Sequence, residues 1–211
     1  VQIKTVPLAD KSDEHTATIW GDKVQVVDQG EEAAEWLSKF LETPVRLVRI
    51  SDQFKRPIEK GFIDNQDDNK HHVSLADGYP ILITTEESLR DLNEHIAAKE
   101  KDLDESKKTK PILMNRFRPN IIVKGLSNPW DEDHWARIRI GSTEFLACKP
   151  CGRCKLPNVD QSSGIAGSEP SSTLREYRVI GSDMIFGQNL VPESTGFVVH
   201  VNDPVVVIKS K

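Results

Sequence analysis

All three cysteines of the chain fall in one run, Cys148-Lys149-Pro150-Cys151-Gly152-Arg153-Cys154. Thiolates are preferred ligands of soft and borderline metals, and two-residue spacers let a turn converge them. Three chemistries compete for that spacing. An iron–sulfur cluster normally takes a fourth cysteine, and the chain has none left. A structural zinc needs a fourth ligand such as His134 or His200, which the spacing does not support. A single thiolate on a metal carried by an organic cofactor needs only one of the three, with the others structural. Against all of these stands the plain reading of small buried residues on a strand and turn, since free cysteine is among the most buried types. Two neighbours weigh toward a metal. Lys149 and Arg153 favour thiolate, and Gly152 lets backbone approach something closely.

Other polar clusters carry less. His71-His72 are adjacent, so on extended chain they point to opposite faces and read as a solvated loop rather than a shared metal site. Asp131-Glu132-Asp133, between Trp130 and Trp135, reads as a capped turn with aromatic packing. Its alternative is an acidic patch that docks a basic face of an electron donor. Ser162-Ser163-Gly164 lacks the Lys-Ser/Thr of a phosphate cradle, and neither a Gly-x-Ser-x-Gly elbow nor a His-Glu-x-x-His pattern occurs.

The whole chain bounds these readings. Its 211 residues allow one large domain or two small ones, enough to bury a core without disulfides. Lys and Arg number 28 against 33 Asp and Glu, a net charge of −5, which argues against a general DNA or RNA binder. No apolar run approaches the roughly 18 residues of a membrane span. Clustered cysteines in odd number imply a reducing, intracellular compartment. The chain opens on Val1 without an initiator Met or a signal pattern, so it reads as a piece of something longer.

The elements that must carry the cysteines follow from periodicity. Residues 16–28 read as a β-hairpin around a Gly-Asp turn. Ala33, Trp36, Leu37, Phe40 and Leu41 recur at helical spacing behind acidic residues that suit a first turn. Residues 45–50 read as a largely buried strand and 51–72 as a long loop. After the short strand 80–84, Thr85 caps a second helix with Ser88 at N3 and Leu89, Leu92 and Ile96 inward. Short strands are expected at 120–123, 136–141 and 144–147, and two β-rich runs, 197–201 and 204–208, flank the turn Asn202-Asp203. The sum is an α+β, β-dominated barrel or sandwich with few helices.

Around the cysteines stand Arg116-Phe117-Arg118-Pro119-Asn120, Trp130 to Trp135, Ile138-Arg139-Ile140-Gly141, Asp160, Ser163-Gly164, Pro170, Thr173 to Arg178 and Phe186-Gly187-Gln188-Asn189. In this order and spacing they resemble the MOSC domain, the molybdenum cofactor-binding module, in the branch of the mitochondrial amidoxime-reducing component and its bacterial homologues. The resemblance is good over 77–208 and weaker over 16–50. It implies a MOSC-type β-barrel with peripheral helices at 71–211, and at 1–70 the C-terminal part of an N-terminal accessory β domain. It also implies a molybdenum cofactor, molybdopterin with molybdenum, whose metal is bound by Cys154. Arg118 and Asn120 match the family's cofactor contacts, where a guanidinium fork suits phosphate and an amide suits a pterin edge. Asp77 matches an aspartate near the metal that could relay protons; its plain reading is a turn aspartate before Gly78. Tyr79 falls at a further cofactor-contact position, although animal members carry small hydroxyl residues where this chain has Gly78 and Tyr79. An upstream Lys-Ser pair and arginine, which bind the cofactor in the family, have no counterpart in residues 1–15.

The function the resemblance implies is reduction of small N-oxygenated substrates, amidoximes and hydroxylamines. Electrons would come from a b-type cytochrome and its reductase, or from a ferredoxin-like donor. The alternative is a non-catalytic cofactor or sulfur carrier, as in the MOSC portion of molybdenum cofactor sulfurases. Their pyridoxal phosphate sits in a separate upstream domain, so that cofactor is only weakly implied here.

Overall fold

The computed structural model describes residues 14–59 and 71–211. Among these, residues 14–59 and 71–79 form one compact unit and residues 80–211 another.

The first unit is built on an antiparallel hairpin, β1 (Glu14–Ile19) and β2 (Asp22–Asp28), extended by β3 (Val48–Ile50). Val24, Val26 and Val27 are its buried face. Helix α1 (Glu31–Leu41) starts after Gly30, whose N–H is held by the Asp28 carboxylate at 2.7 Å. The helix buries only the small Ala33 and Ala34; Trp36 and Phe40 stack on each other outside, with ring centroids 5.5 Å apart. The expected loop 51–72 contains strand at both ends of its described part. Strands β4 (Arg56–Pro57) and β5 (His72–Val73) pair, while residues 60–70 lie outside the described residues. His71, expected in solvent, is buried at the start of this ladder, its carbonyl accepting the Ile58 N–H.

The second unit is a curled half-barrel sheet. Its strands are β6 (Ile81–Thr85), β7 (Ile121–Val123), β8 (Trp135–Ile140), β9 (Thr143–Gly152), β10 (Val179–Ile180), β11 (Asp183–Pro192) and β12 (Val205–Ser210). They run in the order β12-β8-β9-β11-β6-β7, with β10 paired to β11. Helices α2 (Glu86–Lys99) and α3 (Ser171–Tyr177) complete the β-dominated α+β architecture. One apolar cluster (Ile83, Trp135, Ile138, Phe145 and Leu190 among others) lies against the sheet; a second joins Leu92 and Ile96 of α2 and Leu174 of α3 to Phe117 and Phe186. Of the two β-rich runs expected at 197–201 and 204–208, the second is a strand and the first is not. Strand β12 pairs with β8, and Phe197 and Val199 pack against the first cluster without a strand ladder. Apolar alternation promises a buried face; it does not name the strand's partner.

Thr85 caps α2 as expected, its hydroxyl accepting the Ser88 N–H at 3.2 Å. Beneath that cap lies Glu132, fully buried, accepting the Ser88 hydroxyl at 2.7 Å. Asp133 instead binds the Arg178 guanidinium at 2.6 Å and the Gln188 amide at 2.7 Å. The acidic triplet is thus chiefly internal scaffolding. Burial pushes the Glu132 carboxyl above its usual range. A raised folded-state pKa contributes stability that is full below the unfolded value and lost as pH rises through the folded one. Glu132→Gln should therefore equal or exceed the parent in stability at pH 7, by about 1 kcal/mol. That advantage should vanish near pH 4 in denaturant melts.

Candidate functional site

Strand β9 carries the first two cysteines, and its pairing with β11 decides where they face. Two irregularities interrupt that ladder, one between Ile185 and Gln188 and one between Asn189 and Leu190. The first adds a residue to β11 beside Gly187; the second adds one to β9 at Cys148. Bulges re-aim side chains in this way. Cys148 is buried, and burial pushes its thiol up to about 12. Cys151 is half-buried and accepts a hydrogen bond from the Arg153 guanidinium at 3.1 Å. Cys154, beyond the strand end, is exposed, and among the described residues its sulfur accepts only the Leu156 N–H, at 3.4 Å. The three sulfurs therefore sit in three environments. Among the described residues, no group of three or more His, Cys, Asp and Glu is arranged to hold a metal.

Arg153 joins the cysteine run to the arginine turn. Its guanidinium donates to the Phe117 carbonyl at 2.8 Å and lies 5.5 Å from the centre of the Phe117 ring, which itself stacks on Phe186. The residue before Cys154 is thus tied to the residue before Arg118. A 3-10 turn, Met114–Phe117, ends with Arg118 in the left-handed region at φ 55°. Arg118 is exposed, and its guanidinium has no hydrogen-bond partner among the described residues. Two residues on, Asn120 bridges to β6, its side-chain oxygen accepting the Leu82 N–H at 2.8 Å while its own N–H donates to the Leu82 carbonyl at 2.9 Å. That leaves the Asn120 amide NH₂ for another acceptor.

Arg116 was overlooked as a scaffold residue, and it fastens the far side. Its guanidinium reaches the Pro157 carbonyl at 3.2 Å and Asp160 at 2.9 Å. Asp160 in turn accepts the backbone N–H groups of Ser162 and Ser163, each at 3.0 Å, and both hydroxyls. The Ser162 hydroxyl and the Ser163 N–H hold its carboxyl well below the usual carboxylate range. A lowered folded pKa gives order that persists above the unfolded value and is lost only as pH falls below it. Amide exchange at Ser162, Ser163 and Gly164 should thus stay protected down to about pH 4, and Asp160→Ala should speed it about tenfold. A cleft of about 770 Å³ opens beside this loop, with Leu113 and Ile165 on its rim. The only signal in the sequence was the Asp-x-Ser-Ser-Gly turn chemistry.

Asp77 and Tyr79 belong to the other unit. Asp77 is exposed, with one carboxyl oxygen accepting the Trp20 indole N–H at 3.1 Å. Tyr79 is buried, and its hydroxyl donates to the Glu59 carbonyl at 3.4 Å. Sequence reasoning passed over Arg56, whose buried guanidinium organises this corner. It binds the Asp22 carboxylate at 2.8 Å and the carbonyls of Ser74, Ala76 and Asp77.

Residues Cys154, Arg118 and Asn120 thus lie close along one bonded path in the second unit. They offer an accessible soft ligand, a planar cation unpaired among the described residues and an amide edge. That donor set fits a soft metal on an anionic, pterin-like carrier.

The MOSC domain model matches residues 68–206. The chain is similar to a zebrafish mitochondrial amidoxime-reducing component 1, 37% identical over 88% of this chain and 54% of the relative. The human amidoxime-reducing component 1 is 32% identical over 92% of the chain and 56% of its own length. A zebrafish molybdenum cofactor sulfurase is 35% identical over 90% of the chain but only 23% of its own length. The chain therefore spans about half of the first kind of relative and about a quarter of the second.

Proposed function

The chain belongs to the MOSC domain family, and on that premise we propose that it serves a molybdenum cofactor-dependent reductase of N-oxygenated substrates, amidoximes and hydroxylamines. The observation that carries this reading is the separation of the cysteines: one exposed thiol, Cys154, whose neighbour Arg153 is bonded to Phe117, next to an arginine with no side-chain partner among the described residues. In this reading Cys154 is the single protein ligand of molybdenum, and Arg118 and Asn120 hold the pterin cofactor. When bound, the cofactor supplies the two-electron reduction that removes an N–OH oxygen as water.

The chain's own residues do the rest. Arg153, pinned on Phe117 and Cys151, fixes the approach of the backbone to Cys154. Asp77 moves protons, its carboxyl oriented by the Trp20 N–H. Tyr79, assigned a cofactor contact on sequence grounds, supports the fold of that corner through Glu59. Electrons arrive from a separate carrier, a b-type cytochrome with its reductase or a ferredoxin-like protein. The mitochondrial relatives favour that compartment over the cytoplasm. Among the described residues no helix is long and apolar enough to cross a membrane.

The test is metal analysis of the cofactor-loaded protein, with hydroxylamine and benzamidoxime turnover driven by a chemical reductant. Molybdenum near one per chain with turnover is the expected result; zinc or iron in its place defeats the reading. The sulfurase relative favours the carrier alternative. Sulfur transfer to an acceptor enzyme, without turnover, would establish that alternative instead.

A further inference from the structure

Tryptophan and tyrosine lose a single electron more readily than most side chains, and one of each meets where α2 and α3 pack. Trp130 and Tyr177 lie edge to face, with ring centroids 6.0 Å apart. Their polar tips converge on one atom: the Trp130 indole N–H donates to Asp91 Oδ2 at 2.9 Å, and the Tyr177 hydroxyl donates to the same oxygen at 3.0 Å. Buried aromatic tips find a partner as a rule, but packing does not require that they share one. The Arg178 guanidinium, held by Asp133 at 2.6 Å, lies 3.9 Å from the centre of the Trp130 ring. The His95 ring stacks on Tyr177 at 4.2 Å and is about half exposed.

These neighbours act on the two rings in opposite senses. A guanidinium over an indole opposes the positive charge left when that ring loses an electron. Tyr177 sheds such a charge, because its proton can pass to Asp91. Burial and the Asp91 charge push the phenol above its usual range, so the proton leaves with the electron rather than before it. A charge that reaches Trp130 therefore runs on to Tyr177. Trp130 is also joined to the cysteine run. It stands edge-on to Phe186 at 5.7 Å, Phe186 stacks on Phe117 at 3.7 Å, and the Phe117 carbonyl accepts the Arg153 guanidinium that also binds Cys151. Phenylalanine is too hard to oxidise to hold the charge, so these two rings are crossed by tunnelling. Trp130 is the first ring on that path that can hold it.

We propose that Trp130 and Tyr177 form a redox relay, which carries a one-electron oxidising equivalent from the cysteine run to the surface beside His95. A one-electron oxidant at the run, a high-potential metal complex, takes an electron from Trp130 and leaves its radical cation. Tyr177 then gives one electron to Trp130 and its hydroxyl proton to Asp91. Trp130 is restored, and a neutral tyrosyl radical faces a protonated carboxyl. A small soluble reductant, a thiolate or an ascorbate-like enediol, returns the electron to Tyr177, and Asp91 returns the proton. The oxidant is reduced, the reductant is oxidised, and the protein is unchanged. The cysteines, which would otherwise climb toward irreversible oxygen acids, are spared.

A ruthenium polypyridyl attached to the exposed Cys154 thiol of the full chain supplies the oxidant. A flash with an external electron acceptor converts it to ruthenium(III), and electron paramagnetic resonance with transient absorption identifies the radical. The chain has only two tyrosines, Tyr79 and Tyr177, so one variant assigns the signal. The parent should give a neutral tyrosyl radical, formed more slowly in deuterium oxide because a proton moves with the electron. Tyr177→Phe should abolish it and leave a tryptophan radical. Trp130→Phe should suppress it with Tyr177 still present, which a tyrosine that merely packs would not show. Asp91→Asn should delay the tyrosyl signal and prolong the tryptophan one. Near-ultraviolet circular dichroism checks the aromatic packing of each variant. No tyrosyl radical in the parent, a signal that survives Tyr177→Phe, or an equal yield in Trp130→Phe would overturn the proposal. The protein carries no molybdenum in this experiment, so its outcome is separate from that of the reductase reading.

Discussion

Cys154→Ser in the molybdenum-loaded protein should cut hydroxylamine turnover by roughly a hundredfold or more, since even residues that merely support a metal ligand are worth about 10–100-fold. Serine is a poor ligand for a soft metal, so the loss falls on the chemistry. The fold should not notice, because Cys154 is exposed and its sulfur accepts one weak backbone bond. Cys148→Ala makes the contrasting case. That thiol is buried in the β9 bulge and kept protonated, so the variant should lose a little stability and keep its turnover. Cys151→Ser should fall between, because it disturbs Arg153 and through it the Phe117 carbonyl. Stopped assays of product formation across the three variants, beside their thermal melts, read both effects. Equal loss in all three would mean that the cysteines act together, as in a cluster.

Gly187→Ala should be the most damaging single-methyl change in the molecule. Gly187 lies at φ 81°, where an L side chain is strained, and a Cβ there would stand 2.6 Å from the Ile83 carbonyl oxygen and 2.8 Å from the Thr84 methyl. Both neighbours belong to β6, paired against β11, so neither can withdraw without opening the ladder. Strain and overpacking together should cost about 3 kcal/mol or more. In a unit of this size that is a fall of about 10 °C in Tm. Gly125→Ala is the control: its φ is 89°, but nothing lies within 4 Å of the added carbon. It should lose only the conformational part, about 1 kcal/mol. The consequence reaches the site, because the bulge at Gly187 sets the register between β11 and the cysteine strand β9.

These two residues also mark how far sequence reasoning reached. Local signals were legible: the hairpin at 16–28, the acidic first turn of α1, and the Thr85 cap with Ser88 at N3 all appear where side-chain chemistry put them. The family was legible from ordered short motifs, and with it a reason to single out Cys154 from three cysteines. What stayed hidden was non-local. Nothing in Phe186-Gly187-Gln188-Asn189 announces a bulge against β9, since a bulge is a mismatch between two strands and leaves no period in either. The C-terminal strand was legible at 204–208, but its partner was not, because β8 lies far back in the chain. The burial of Arg56 and Glu132 left no local signal, because burial of an ion depends on partners brought from elsewhere: Asp22 and the 74–77 loop for one, Ser88 for the other. The α1 stripe misled for a different reason. Helical spacing showed that Trp36 and Phe40 share a face, but the small pair Ala33 and Ala34 decided which face is buried.

The central claim is that one protein thiolate, from Cys154, holds the metal. X-ray absorption at the molybdenum edge counts the sulfur neighbours of the metal directly, in the loaded parent and in Cys154→Ser. One sulfur fewer in the variant, with Cys148→Ala and Cys151→Ser unchanged, is the predicted result. An unchanged sulfur count in Cys154→Ser would contradict the account.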